Sequence, residues 1–202
     1  MGLSIHYSGK LKEDINLHDF INDAKDFAKT HHWKHHTFNT EFPAQTNSKD
    51  DYRKEIYGIT MQPEGCENVD LTFLSNRRLA SWATFQFFSK YADNPNELAL
   101  YTINVKTQFA GPKTHVLVVD MLRYLSKLYF AEFKLSDEGN YWETASLKTL
   151  QARFNQYNQI QENMEIGLMA TKQSPDETLE DFIKRVARDV HDREKKNGNK
   201  GN

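Results

Sequence analysis

The sequence predicts an α+β protein: mainly antiparallel sheet in the N-terminal half, helices packed on one face, and a C-terminal helical hairpin. Two observations carry this reading. Period-two alternation broken by turn residues dominates up to Phe109, and apolar stripes at helical spacing dominate from Gly111 onward. Strand and helix patterns also fail to alternate in the way a parallel βαβ fold requires.

The elements follow in chain order. Leu3, Ile5 and Tyr7 alternate with Ser4, His6 and Ser8 and stop at Gly9, the pattern of a strand with one polar face. Asn16 then caps a helix whose stripe is Leu17, Phe20, Ile21, Ala24, Phe27 and Ala28, ending near residues 30–33. Residues 37–42 read as a strand before Pro43, and 44–51 as an exposed polar loop. Segments 56–61 and 69–73 read as strands of a meander joined through Pro63-Glu64-Gly65. A turn at Ser75-Asn76-Arg77-Arg78 leads into the aromatic segment 82–88, read as a strand, and a loop at 93–96.

The longest alternation spans 98–109, with Tyr101, Ile103, Val105, Thr107 and Phe109 on one face, and predicts a central strand. After Gly111 and Pro112 the spacing of Val118, Met121, Leu122, Leu125 and Leu128 predicts a helix lying across the sheet. A short strand at 133–136 precedes helices to the end of the chain. The first is marked by Leu147, Leu150, Phe154, Tyr157, Met164 and Leu168, with Gln161 interrupting the seam. Ser174, Pro175 and Glu177 form a capping box for the next, which carries Leu179, Phe182, Ile183, Val186 and Val190. Residues 1–192 are read as one domain, and 193–202, which hold no apolar residue, as a polar tail that cannot offset its ordering entropy.

Composition narrows the function classes. With 26 Lys and Arg against 28 Asp and Glu, no overall field draws the chain onto a phosphate backbone, which disfavours nucleic acid as a partner. The lone Cys66 excludes an internal disulfide and a cysteine-based zinc site, and fits a reducing compartment. No apolar run approaches the roughly 20 residues of a membrane span, and residues 1–6 carry neither a leader pattern nor a myristoylation pattern. The expectation is a cytoplasmic protein with no membrane partner.

Three segments could carry chemistry. His31, His32, His35 and His36 hold four of the 8 histidines. On a continuous helix His31 would lie one turn from His35, and His32 one turn from His36, a spacing that can bridge a metal. Two ligands do not make a site, and a frayed helix end with imidazoles against the negative pole of the dipole explains the cluster with less. Lys113, Thr114 and His115 would surround the N-terminus of the helix after Gly111, a place suited to an anion, although an ordinary strand-to-helix connection has the same residues and no nucleotide-loop spacing is present. Asp137, Glu138 and Glu143 share a short connection with Tyr141 and Trp142. Paired carboxylates can divide acid and base roles, whereas a turn pinned to the core by its aromatics needs no such pairing. The polar sheet face adds His6, Thr102, Asn104 and Lys106, provided that their strands are neighbours. Cys66 has no histidine placed beside it by spacing, and no cofactor motif fixes a cofactor.

The opening Gly2-Leu3-Ser4-Ile5-His6-Tyr7-Ser8-Gly9, with Lys106-Thr107-Gln108-Phe109-Ala110-Gly111 and Asp137-Glu138-Gly139-Asn140-Tyr141-Trp142-Glu143-Thr144, resembles a group of uncharacterised bacterial proteins over most of the chain. The resemblance implies a bacterial cytoplasmic protein and carries over no catalytic residue. Two functions stand. One is a non-catalytic module that binds another protein through its sheet face or C-terminal helices. The other is a hydrolase-like enzyme that combines His115 with Asp137, Glu138 or Glu143, with metal binding through the 31–36 cluster as a further alternative.

Overall fold

The computed structural model describes residues 2–43, 55–91 and 97–198. It is α+β, with two antiparallel three-stranded sheets among the described residues. In the first sheet β1 (Ser4–Leu11) lies between β5 (Ile103–Lys106) and β6 (Phe130–Asp137); in the second, β3 (Tyr57–Gln62) lies between β2 (Lys34–Thr37) and β4 (Val69–Phe73). The helices are α1 (Leu17–Thr30), α2 (Trp82–Tyr91), α3 (Glu97–Tyr101), α4 (Gly111–Tyr129), α5 (Tyr141–Thr144), α6 (Leu147–Ala170) and α7 (Leu179–Gly198).

The chain divides into two compact units, 1–151 and 152–202. In the first, α1 starts as its sequence dictates: Asn16 Oδ1 accepts from the backbone N–H of His18 at 2.9 Å. Its apolar stripe delivers Phe20 edge-on to Phe73 of β4, Tyr129 at the end of α4 and Phe130 of β6. The sheets are also tied directly. The buried Tyr7 hydroxyl donates to the carbonyl of Asp70 at 2.8 Å, and the segment after β4 returns to β1 through the bridge Lys10 to Arg78.

Three sequence expectations change in these strands and helices. Segment 82–88 is helix, because the Asp70 carboxylate accepts from Trp82 N at 3.0 Å and so caps a helix from a neighbouring strand. Aromatic strand propensity yields to that cap. Segment 98–109 is not one central strand but α3, the short edge strand β5 and a turn of 3-10 helix at Gln108–Ala110. Its inward face survives at Tyr101, Ile103, Val105 and Thr107, while Phe109 is exposed. The expected strand at 37–42 forms earlier, over Lys34–Thr37, because left-handed His32 ends α1 and buried Trp33 redirects the chain. The loops read at 44–51 and 93–96 fall outside the described residues.

In the second unit α6 and α7 form the helical pair. Met164 packs on Phe182, Val186 and Val190, and a Cβ on Gly167 would meet Val190 Cγ2 at 2.8 Å, so a residue without a side chain lets the helices approach. The capping box is displaced. Ser174 N donates to Glu177 at 3.2 Å, but the helix begins at Leu179, where Asp181 N donates to Thr178 Oγ1 at 3.1 Å. Arg185 draws Glu177 away by forking onto both its carboxylate oxygens, at 2.8 and 2.7 Å. Helix α7 runs past Asp192, where the ordered part was expected to end, to Gly198. Once a helix is nucleated, each further residue adds a backbone bond, and Arg, Glu and Lys are good helix formers.

Candidate functional site

His115 enters the core because it shares a helical face with Val118, Val119 and Leu122, spaced by three, four and seven residues. Its Nε2 lies 3.0 Å from Asp137 Oδ1, and both side chains have 0% of their surface exposed. On the other edge of the ring, Nδ1 lies 2.7 Å from the buried Thr107 hydroxyl. An N–H on Nε2 facing the carboxylate leaves Nδ1 to accept from Thr107. The array therefore joins α4, the end of β6 and the turn after β5.

Asp137 is bound on every side. Its carboxylate accepts from the backbone N–H groups of Gly139 at 2.7 Å, Tyr141 at 2.7 Å and Trp142 at 2.9 Å, in addition to His115. It thereby caps α5, a task that left-handed Asn140 at the cap position does not perform with its own side chain. Burial pushes the Asp137 carboxyl up, but the hydrogen bond and charge of His115 and the backbone donors of Trp142 and Gly139 outweigh it and hold it below its usual value. At the other end of α5, Arg123 donates to the carbonyls of Tyr141 at 3.3 Å and Trp142 at 3.0 Å, with its guanidinium 5.1 Å from the Trp142 ring centroid.

Gly139 closes the cluster. An added Cβ would stand 2.6 Å from Leu150 Cδ1, 2.9 Å from His115 Nε2 and 3.0 Å from Asp137 Oδ1. Gly139→Ala is expected to lower stability by about 1–3 kcal/mol through overpacking, read by urea denaturation; an unchanged midpoint would show that the pair can yield. With His115 Nε2 3.0 Å from the carboxylate, Nδ1 beside the Thr107 hydroxyl and three backbone N–H groups donating to Asp137, the array ties α4, α5 and β6 together.

The other sequence candidates separate. Glu143 is exposed, and Glu138 turns to the sheet face, where it accepts from Ser4 N at 2.8 Å and lies 3.6 Å from His6 Nε2. Lys113 is exposed and Thr114 half-buried, but inward-facing His115 leaves the anion trio incomplete. The histidine cluster loses its helical premise. His31 caps α1, His32 is left-handed, and His35 and His36 are adjacent in β2, so their side chains point to opposite faces. Among the described residues no group of three or more His, Cys, Asp or Glu could hold a metal. Cys66 shares a cavity of about 380 Å³ with His32, Lys34 and Glu64, but burial pushes its thiol up to about 12, which leaves little thiolate.

The polar face of the first sheet does assemble. β1 and β5 pair with His6 opposite Asn104 and Ser4 opposite Lys106, and His6 Nδ1 contacts Asn104 Oδ1. Further along the same face is a cavity of about 370 Å³ that sequence reasoning missed. Ser8 and Lys10 of β1 meet Glu132 and Lys134 of β6 there, with Arg78 and Tyr101 at the border. Alternation in β1 signals the polar face, but only pairing brings residues 10, 78 and 134 together. No described helix is long and apolar enough to cross a membrane. No family model, curated protein or solved structure matches the chain.

Proposed function

We propose that this chain is a non-catalytic module that binds another protein, with the turn end of the α6–α7 hairpin as its docking surface. The supporting observation is exposed apolar surface concentrated in a short span: Ile166 is 54% exposed, Met169 78%, Leu179 64% and Ile183 43%. Ile166 and Met169 are three residues apart on α6, and Leu179 and Ile183 four apart on α7, so each pair shares a helix face. Scattered apolar residues are ordinary on a surface, whereas grouped ones mark interaction sites. A hydrolase built on His115 and Asp137 would need a substrate path to two side chains without exposed surface. We read the setting as the bacterial cytoplasm, on the strength of the resemblance and the lone thiol.

A photo-crosslinking residue at position 169, with one at exposed Glu180 as control, tests this in cells. The expected result is one discrete adduct with a different protein from position 169 alone, lost when Ile183→Glu is added. Absence of any adduct, or adducts only between copies of this chain, would overturn the reading.

A further inference from the structure

We propose that the cavity on the polar face of the first sheet binds a small organic phosphate monoester, held by Arg78 and Lys134. Its volume of about 370 Å³ falls in the range of small-molecule sites. The walls bring three cationic side chains, Lys10, Arg78 and Lys134, against one carboxylate, Glu132, on a chain whose net charge is −2.

The cations are not equivalent. Lys10 Nζ is engaged by Glu13 Oε1 at 2.7 Å and sits opposite Glu132 in the β1–β6 register, so its charge is answered. Arg78 has its guanidinium carbon 3.9 Å from the Tyr101 ring centroid, and neither it nor Lys134 has a carboxylate within salt-bridge distance among the described residues. Contact with the face of Tyr101 orients the planar guanidinium, whose edge donors suit forked recognition of a phosphate. The Ser8 hydroxyl supplies a further donor on the cavity wall. The space exceeds that of one inorganic anion, which leaves room for an organic part beside the phosphate. Glu132 opposes any anion placed there and so sets the affinity.

Isothermal titration of the full chain with phenyl phosphate, beside phenol, benzoate and inorganic phosphate, tests the proposal. Saturable one-to-one binding of phenyl phosphate is expected, weakened about tenfold in Arg78→Gln and in Lys134→Gln, as loss of one charge-assisted bond implies. Glu132→Gln is expected to tighten it severalfold, a gain that misfolding cannot mimic. Absence of saturable phenyl phosphate binding to the wild-type chain would overturn the proposal. So would equal affinity for benzoate or phenol, or affinity unchanged in both Arg78→Gln and Glu132→Gln. Inorganic phosphate binding as tightly as the ester would overturn the assignment of an organic ligand.

Discussion

Asp137→Ala is expected to lower folding stability by about 3–5 kcal/mol, because one carboxylate serves three backbone N–H groups and His115, and each buried donor left without its acceptor costs about 1–3 kcal/mol. The change would strand the N–H groups of Gly139, Tyr141 and Trp142 and leave His115 facing a void, with the first two N–H groups and the imidazole buried and the third partly so. Urea denaturation at neutral pH measures it, and a loss below 1 kcal/mol would show that the cluster does not hold α4, α5 and β6 together. Asp137→Asn should fall between, since one amide oxygen still accepts while its NH2 meets donors. The wild-type pH profile carries the same signature. The folded carboxyl lies below its usual value, so protonation costs the native state more than the unfolded chain. Its contribution is therefore complete above roughly pH 4, the ordinary carboxyl range, and is lost as pH falls through the folded value. Asp137→Asn should flatten that part of the profile.

Phe20→Ala is expected to cost about 3–5 kcal/mol, as large-to-small changes at fully buried aromatics do. Phe20 is 0% exposed and its ring lies 5.3 Å from Phe73, 5.2 Å from Tyr129 and 6.1 Å from Phe130. One side chain thus joins α1 to a strand of each sheet and to the end of α4, and its removal leaves a cavity bounded by elements that already pair elsewhere and cannot collapse inward. Phe20→Leu should recover most of the loss. Thermal and urea unfolding of both variants check this; equal midpoints for Phe20→Ala and wild type would mean that the rings repack freely.

The buried pair was half legible. His115 lies on the helix stripe in phase with Val118 and Leu122, and that periodicity alone directs it inward, yet free backbone donors at the helix start suggested an outward role. The carboxylate cluster at 137–143 did contain its partner, but choosing Asp137 over Glu138 required the strand pleat: Asp137 falls on the inward side of β6, opposite Ile5, and Glu138 on the outward side. The histidine cluster misled because its spacing presumed that α1 continued through His32, whose left-handed backbone ends it.

Local period and local caps therefore determined β1, α1, β3, β4, α4 and the helical pair, because those signals act between residues a few positions apart. Tertiary structure decided the rest. The helix at 82–91 depends on a carboxylate twelve positions away in β4, and β5 is an edge because β1, not the longest alternating segment, receives partners on both sides. The cavity of Lys10, Arg78 and Lys134 exists only through register, since residues distant in sequence become neighbours when backbone hydrogen bonds align their strands.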